Sequence, residues 1–192
     1  MAALCVFCGS RSGNDPAFTQ AASGLGKFLA TQGHTTIFGG GSVGLMGVLA
    51  DAALSHQGVV TGVIPRHLAK VEIMHTGVTD MRVTEDMHER KALMHSMADC
   101  YVTLPGGYGT MEELFEAVTW AQLDLHARPI VILNLNGFYD GLLSLLKHMN
   151  AEHFLSPRCH RIVNVVDSET ELFEWIEKRF PVQSTPVTVP EV

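Results

Sequence analysis

Residues 100–116 read CYVTLPGGYGTMEELFE: a short β-rich run, a glycine-rich turn and the start of a stretch with helical spacing. The run Cys100–Leu104 is largely apolar, which is typical of a strand covered on both faces of a sheet. Apolar residues recur with a period near 3.6 over Met111–Ala121, which indicates a helix. The segment therefore predicts one strand–turn–helix unit of an α/β fold.

The same alternation of strand and helix extends along the chain in both directions. It predicts a doubly wound, Rossmann-like parallel sheet of about seven strands with helices on both faces. We expect a single domain over residues 1–180 and a flexible tail over 181–192, which is rich in Pro, Thr and Val. The other predicted strands are Ala3–Cys8, Thr35–Phe38, Val59–Ile64, Met81–Thr84, Ile130–Asn134 and Ile162–Val166. The other predicted helices are Phe18–Thr31, Leu45–Ser55, His88–Met97, Tyr139–His148 and Glu169–Arg179.

Composition excludes several classes of protein. Of the 192 residues, 46% are hydrophobic and 17% charged, with a formal net charge of −7. Such a chain can bury a large core, and without a Lys/Arg run it lacks the electrostatic footprint of a nucleic-acid binder. No apolar stretch is long enough for a membrane span, no secretory signal is visible, and four cysteines suggest a reducing compartment. We therefore expect a cytoplasmic domain without nucleic-acid or membrane partners.

Three predicted strand-to-helix turns are rich in glycine: Cys8–Asn14 (CGSRSGN), Phe38–Gly47 (FGGGSVGLMG) and Leu104–Glu113 (LPGGYGTMEE). Glycine lets backbone N–H groups approach a ligand closely, and the start of the following helix favours negative charge. Because ligands of open α/β sheets bind at the carboxyl ends of the strands, three such turns favour an anionic ligand. The residues best placed to bind phosphate are Gly107, Gly109 and Thr110. Second-rank candidates for phosphate or ribose, explained equally well by turn geometry, are Gly41, Ser42 and the Cys8–Ser10 turn, including Ser10 itself.

Other motifs in these segments are weak. G-x-G-x-x-G over Gly39–Gly44 lacks the acidic residue, about 20 positions on, that a dinucleotide site uses. G-x-S-x-G over Gly40–Gly44 has no identifiable His or Asp partner for a serine hydrolase. Cys5 and Cys8 lie within a predicted strand, so core packing explains them better than a redox or zinc site. We predict neither a metal nor a cofactor.

Residues 87–91 (MHERK) and 105–113 (PGGYGTMEE) together resemble the LOG family, the cytokinin riboside 5′-monophosphate phosphoribohydrolases once described as lysine decarboxylases. The family pattern P-G-G-x-G-T-x-x-E is met in full, and the similarity extends from Leu4 to about Arg179. The resemblance implies hydrolysis of the N-glycosidic bond of a nucleoside 5′-monophosphate, such as N6-modified AMP, to free base and ribose 5-phosphate. It also implies a homodimer whose active site lies near the subunit interface.

The resemblance assigns roles to individual residues as well. It implies that Arg90 and Glu113 are the catalytic pair. The further substrate contacts that it implies are Glu72, Lys91, Gly107, Tyr108, Gly109, Thr110, Met111, Glu112 and Thr119.

The chemistry of the reaction supports Glu113 and Arg90 independently, though less specifically. Cleavage at C1′ develops positive charge on the ribose, and a carboxylate beneath C1′ stabilises this charge and activates water. We expect Glu113 in the first turn of a helix opened by Gly109–Thr110, where complementing the helix dipole is the alternative explanation. Arg90 is expected beside it, on the assumption that their strands are neighbours. Arg90 could hold the 5′-phosphate, orient Glu113 or stabilise the departing base, whereas Lys91 could be only a salt-bridge partner.

Two other functions stay open at this point. One is a general AMP nucleosidase without a preference for N6-modified adenine. The other is a non-catalytic nucleotide-binding or sensing module, which needs no carboxylate beneath C1′.

Overall fold

The computed structural model describes residues 1–70, 74–156 and 158–181. In this part of the chain the strands are β1 (Ala3–Phe7), β2 (Thr35–Phe38), β3 (Val59–Pro65), β4 (Asp80–Thr84), β5 (Cys100–Thr103), β6 (Ile130–Leu133) and β7 (Val163–Val166). The α-helices are α1 (Pro16–Thr31), α2 (Gly44–Ser55), α3 (Met87–Met97), α4 (Tyr108–Gln122), α5 (Asp140–Ala151) and α6 (Glu169–Arg179). The strands form one parallel sheet in the order β4-β3-β2-β1-β5-β6-β7. The predicted seven-stranded α/β fold is confirmed.

Strand β1 shows why both faces of the sheet are covered. Its side chains alternate, with Leu4 and Val6 packing into the core formed with α1, α2 and α6. Cys5 and Phe7 point the other way, into the core formed with α3, α4 and α5. All four side chains are buried, as a central strand of a doubly wound sheet requires. Cys5 is a free thiol in this core, in agreement with its predicted packing role.

The helices begin in two different ways. The first turns of α1, α3 and α6 are capped by the side chains of Asp15, Asp86 and Ser168, each of which accepts a hydrogen bond from a backbone N–H. Helices α2, α4 and α5 have no such side-chain cap, and the N-cap residues of α2 and α4, Val43 and Gly107, lie within two of the glycine-rich turns. The free N–H groups at the start of an uncapped helix are available to a ligand.

The three glycine-rich turns meet at the carboxyl edge of the sheet, as predicted. The strand order reverses between β1 and β5, so the chain leaves these two strands toward opposite faces and opens a crevice. Backbone hydrogen bonds join the turns there. The N–H of Gly9 donates to the carbonyl of Pro105 at 3.1 Å, and the N–H of Leu45 donates to the carbonyl of Gly9 at 3.0 Å.

The expected reason for the proximity of Arg90 and Glu113 is wrong. They follow β4 and β5, which are not neighbours, because β3, β2 and β1 lie between them. Helix α3 instead leaves the edge strand β4 and crosses the sheet toward β5, contacting β3, β2 and β1 on its way. Arg90 reaches the crevice because it lies on this crossover helix.

Two further predictions concern the domain boundary near the C-terminus and the lack of a membrane-spanning helix. The proposed boundary at residue 180 stays a prediction, since residues 182–192 lie outside the described part. Within the described ranges, no helix is long and apolar enough to cross a membrane.

Candidate active site

A cleft of about 210 Å³ opens at the carboxyl edge of the sheet, between α3 and the turn that precedes α4. Seven of the residues predicted from the sequence line it together, namely Ser10, Arg90, Gly107, Tyr108, Gly109, Thr110 and Glu113. Cys8, which belongs to the predicted Cys8–Ser10 turn, also lines the cleft, and the lining residues that sequence reasoning missed are Gly39, Met46, Leu68 and Met87. Met46 and Met87 could have been predicted from the sequence, because each is an apolar residue within a segment already identified as part of the site, FGGGSVGLMG and MHERK respectively.

Arg90 and Glu113 form a nearly buried ion pair at the base of this cleft. Arg90 Nη1 donates to Glu113 Oε1 at 2.8 Å, and the two side chains are only 10% and 12% exposed. Arg90 Nε donates to the carbonyl of Val63, in β3, at 2.9 Å. The guanidinium is therefore fixed from two sides and holds the carboxylate in one orientation. Three roles were left open for Arg90, and this hydrogen bond to Glu113 is the contact that one of them, orientation of Glu113, requires.

The surroundings of Glu113 change its acidity in opposing ways. Burial removes the carboxylate from water and raises its pKa above the usual value. The charge and hydrogen bond of Arg90 act against this effect, while Glu112 raises the pKa and Lys91 lowers it. A desolvated carboxyl with a dedicated cationic partner, facing a cleft, is typical of a functional site.

Helix α4 begins earlier than predicted, which alters the position of Glu113. The helix starts at Tyr108 with Gly107 as its N-cap, because the backbone of the glycine-rich segment already adopts helical geometry. Glu113 is therefore the sixth helical residue and lies in the second turn, so its expected first-turn position is wrong. The helix dipole acts mainly within the first turn. Pairing with Arg90 explains the position of Glu113 better than the dipole does.

Gly107 and Gly109 are glycines that neither packing nor backbone geometry requires. Neither has a positive φ, and a Cβ built at either position would meet no atom within 4 Å. The preceding Gly106 differs, since its Cβ would lie 2.0 Å from Thr110 Oγ1. Open space at the start of an uncapped helix, beside the cleft, suits close approach of an anionic ligand to backbone N–H groups.

The glycines of the second glycine-rich turn, Phe38–Gly47, are explained by packing and backbone pairing rather than by open space for a ligand. A Cβ at Gly39 would lie 2.5 Å from Arg90 Nη2, so this glycine makes room for the guanidinium. Gly41 is buried and forms an isolated antiparallel bridge with Met74. Neither Gly41 nor Ser42 is among the residues that line the cleft.

Lys91 and Glu112 form an ion pair beside the cleft rather than in its lining. The ammonium of Lys91 also lies 3.1 Å from Glu116 Oε1. The structure thus places Lys91 in the salt-bridge arrangement that was the alternative to substrate contact. Met111 is half-buried and packs against the core on the α3–α5 side of the sheet.

The two remaining site predictions fall elsewhere. Thr119 is exposed on α4 and lines a separate, mainly apolar cavity of about 480 Å³ together with Phe115, Val118 and Leu143. Glu72 lies outside the described residues.

A second, wider cleft adjoins the first. It has a volume of about 530 Å³ and is lined by the turn after β1, including Arg11, and by Pro105 and Gly106. The two clefts share Ser10, Gly107 and Tyr108, and Tyr108 is 97% exposed at their common border. Across the described residues, no group of three or more His, Cys, Asp or Glu side chains is arranged to hold a metal ion.

The chain is similar to several known proteins over most of its length. It is 45% identical to the "Probable cytokinin riboside 5'-monophosphate phosphoribohydrolase LOGL1" of Oryza sativa subsp. japonica, over 91% of this chain and 78% of the relative. It is 42% identical to the "Cytokinin riboside 5'-monophosphate phosphoribohydrolase LOG7" of Arabidopsis thaliana, over 93% and 82% of the two chains. The molybdenum cofactor binding protein from Rippkaea orientalis has a similar fold, with a TM-score of 0.70 at 22% identity, over 93% and 96% of the chains. That last likeness concerns the fold alone.

The family assignment rests on sequence rather than on fold. Residues 46–176 match the sequence model of a family described as "Possible lysine decarboxylase". This region includes α3 and the start of α4, which contribute Arg90 and Glu113. Together with the relatives at 42–45% identity, it confirms the resemblance predicted from MHERK and PGGYGTMEE: the chain belongs to the LOG family of phosphoribohydrolases.

Proposed function

We propose that this protein hydrolyses the N-glycosidic bond of an N6-modified adenosine 5′-monophosphate, releasing the free base, a cytokinin, and ribose 5-phosphate. The relatives named above carry this activity in their names. The observation that carries the proposal is the Arg90–Glu113 pair, which lies beside an uncapped helix start with two open glycines. A module that only senses nucleotides has no need for a desolvated carboxylate at this point.

In the proposed reaction the 5′-phosphate binds the N–H groups at the start of α4, around Gly107 and Gly109. This contact brings the ribose toward Glu113. As the bond between C1′ and the base breaks, positive charge grows on the ribose, and the carboxylate stabilises it and activates the attacking water. Arg90 keeps that carboxylate ionised and oriented throughout. The apolar side chains of Met46 and Met87 in the same cleft favour a base with an apolar N6 substituent over plain adenine.

We also propose that the protein is a homodimer. Helix α5 carries four leucines, yet none of its residues is buried in the single chain. Some of these leucines line the apolar cavity next to Thr119. Thr119 follows Glu113 by six positions, which rotates it by about 240° around α4, away from the cleft. If Thr119 contacts substrate as the family resemblance implies, it contacts the substrate of the second subunit.

Product analysis tests the reaction directly. The purified protein is incubated separately with N6-isopentenyl-AMP and AMP, and free base and ribose 5-phosphate are quantified by chromatography. We expect both products from both substrates, with faster release from the isopentenyl compound. Glu113→Ala and Arg90→Ala should abolish release, while Glu174→Ala, an exposed carboxylate of α6, should leave it unchanged. Equal rates on the two substrates favour a general nucleosidase, and no release from either overturns the proposal.

A further inference from the structure

A chain of polar side chains lies behind the Arg90–Glu113 pair, and the reaction described above does not use it. It begins at Lys91, whose Nζ lies 3.1 Å from Glu116 Oε1. Glu116 Oε2 lies 3.3 Å from His95 Nε2, and His95 Nδ1 lies 2.7 Å from the Tyr101 hydroxyl. Arg128 Nη1 donates to that hydroxyl at 3.4 Å. We call these five residues the polar chain.

The hydrogen bonds of the polar chain have one consistent direction. An ionised carboxylate can only accept, so His95 Nε2 carries a proton and donates to Glu116 Oε2. In the neutral ring His95 Nδ1 then accepts from the Tyr101 O–H, and the Tyr101 oxygen accepts from Arg128 Nη1. Burial lowers the pKa of His95 and raises that of Tyr101 to about 12, in agreement with these protonation states.

The polar chain connects the same two helices that carry the reacting pair. Lys91 follows Arg90 on α3, and Glu116 lies one turn after Glu113 on α4. The His95 side chain is buried between the two helices and packs against Trp120, with 4.3 Å between the ring centroids and 32° between the ring planes. A shift of α3 along α4 would therefore change the contacts of His95 and Glu116 together with the Arg90–Glu113 pair.

We propose that Glu116 and His95 are positioning residues for the hydrolysis, which fix α3 against α4 and balance the charge of Lys91 beside Glu113. The proposal rests on the proposed function. Lys91 then acts through Glu113 rather than by touching substrate. A displacement of about 1 Å between reacting groups is enough to cost up to ~100-fold in rate, so the register of the two helices is a catalytic requirement.

The electrostatic part of the proposal predicts that loss of the Glu116 charge and loss of the Lys91 charge shift the pKa of Glu113 in opposite directions. The groups that interact electrostatically with Glu113 are Arg90 and Lys91 of α3, Glu112 of its own helix, and the thiols of Cys5 within β1 and Cys8 just after it. The Lys91 charge lowers the pKa of Glu113, and the Glu116 carboxylate offsets that charge. Removing the Glu116 charge therefore lowers the pKa of Glu113, whereas removing the Lys91 charge raises it. Loss of packing alone cannot produce both directions.

The test measures kcat, KM and the pH dependence of kcat/KM for hydrolysis of N6-isopentenyl-AMP. For Glu116→Gln we expect kcat to fall about 10-fold with KM changed less than about 2-fold, because positioning rather than binding is lost. The acid limb of the pH profile should move to lower pH in Glu116→Gln and to higher pH in Lys91→Met. Glu174→Gln is the matched control, an exposed carboxylate on α6, and should behave as wild type.

Tyr101→Phe keeps the inference testable if Glu116→Gln does not fold, since it removes a single oxygen and should also lower kcat without raising KM. Imidazole ¹⁵N spectra of the wild type should show His95 as the Nε2–H tautomer, and an Nδ1–H tautomer contradicts the polar chain. If the folded variants have the kcat of the wild type and the acid limbs of their pH profiles do not move, the positioning proposal is overturned, while the proposed reaction still stands. Failure of the wild type to release base overturns the reaction and the positioning proposal together.

Discussion

Gly39 shows how a missing side chain determines the position of a charged one. The residue belongs to a glycine-rich turn that by sequence suggests a ligand, yet the space above its Cα is occupied by the Arg90 guanidinium. Arg90 in turn reaches Glu113 at 2.8 Å. The turn, which by sequence suggested a nucleotide site, therefore acts indirectly at Gly39: it leaves room for Arg90, and Arg90 orients the Glu113 carboxylate.

Gly39→Ala should disable the site by displacing the Arg90 guanidinium. The added methyl group would lie 2.5 Å from Arg90 Nη2, so the guanidinium must move and the ion pair lengthens. We expect kcat to fall about 10-fold or more, together with a loss of about 1–3 kcal/mol of stability from overpacking. Gly141→Ala is the matched control, because nothing lies within 4 Å of its Cβ position. Unchanged kinetics in Gly39→Ala would show that the rotamer of Arg90 is not critical.

The acidity of Glu113 predicts the acid side of the pH profile. Burial raises the pKa of this carboxyl, and the proposed mechanism needs it ionised. The rate constant kcat/KM should therefore begin to fall, as the pH is lowered, at a higher pH than for an ordinary exposed glutamate. Arg90→Gln removes the cation that opposes the effect of burial, so any residual activity should show this limb at still higher pH. A limb at the pH of an exposed carboxyl, unmoved in Arg90→Gln, contradicts the assignment of Glu113.

At the scale of elements, sequence periodicity identified the strands and helices but not their order in the sheet. The predicted strands agree with the observed ones to within one residue at each end, because short apolar runs bounded by turn residues report local geometry directly. The neighbour relation of β4 and β5 was wrong, since hydrophobic pattern says nothing about which strands pair. The start of α4 was placed three residues late, because Gly107 and Gly109 favour turns in isolation. In the folded chain α4 packs on β1 and β5 and begins at Tyr108.

The start of α4 permits a test that separates phosphate binding from turn geometry. Gly109 lies in the first helical turn with open space around it, so Gly109→Ala should fold well and gain up to about 1 kcal/mol of stability from helix propensity. The same methyl group lies where the phosphate approaches. We expect KM for the nucleotide to rise about 10-fold, as expected for a weakened hydrogen bond to a charged group. Denaturant unfolding and steady-state kinetics measure the two effects. A gain in stability with unchanged KM would place the phosphate elsewhere.

At the scale of the whole molecule, a single chain leaves one part of its site unexplained. Glu113 and Thr119 share α4, but the first lines the cleft at the sheet edge and the second lines the apolar cavity beside α5. The family resemblance predicts that both contact one substrate. Periodicity could not reveal this conflict, because both positions are compatible with the same helix. The proposed homodimer would resolve it, because in a two-fold arrangement the contact made by each α4 is made in return by the other.

Complementation between two inactive variants tests that arrangement. In a homodimer with shared sites, Glu113→Ala removes the carboxylate from a subunit's own site, and Thr119→Arg blocks the partner's site. Both variants should be nearly inactive alone. The two variants are mixed in equal amounts, unfolded and refolded together, so that half of the dimers combine one subunit of each kind. Each of these mixed dimers retains one intact site of two, so activity should return to about a quarter of the wild-type value.

The matched control is Phe115→Asp, which introduces a charge into the apolar cavity. This variant should yield monomers in analytical ultracentrifugation, and it should not restore activity when mixed with Glu113→Ala. Val83→Asp, at an exposed position on the opposite edge of the sheet, should remain dimeric and active. If the mixture stays inactive while the wild type sediments as a dimer, Thr119 does not serve the neighbouring site, and the apolar face of α5 joins the subunits without completing their active sites.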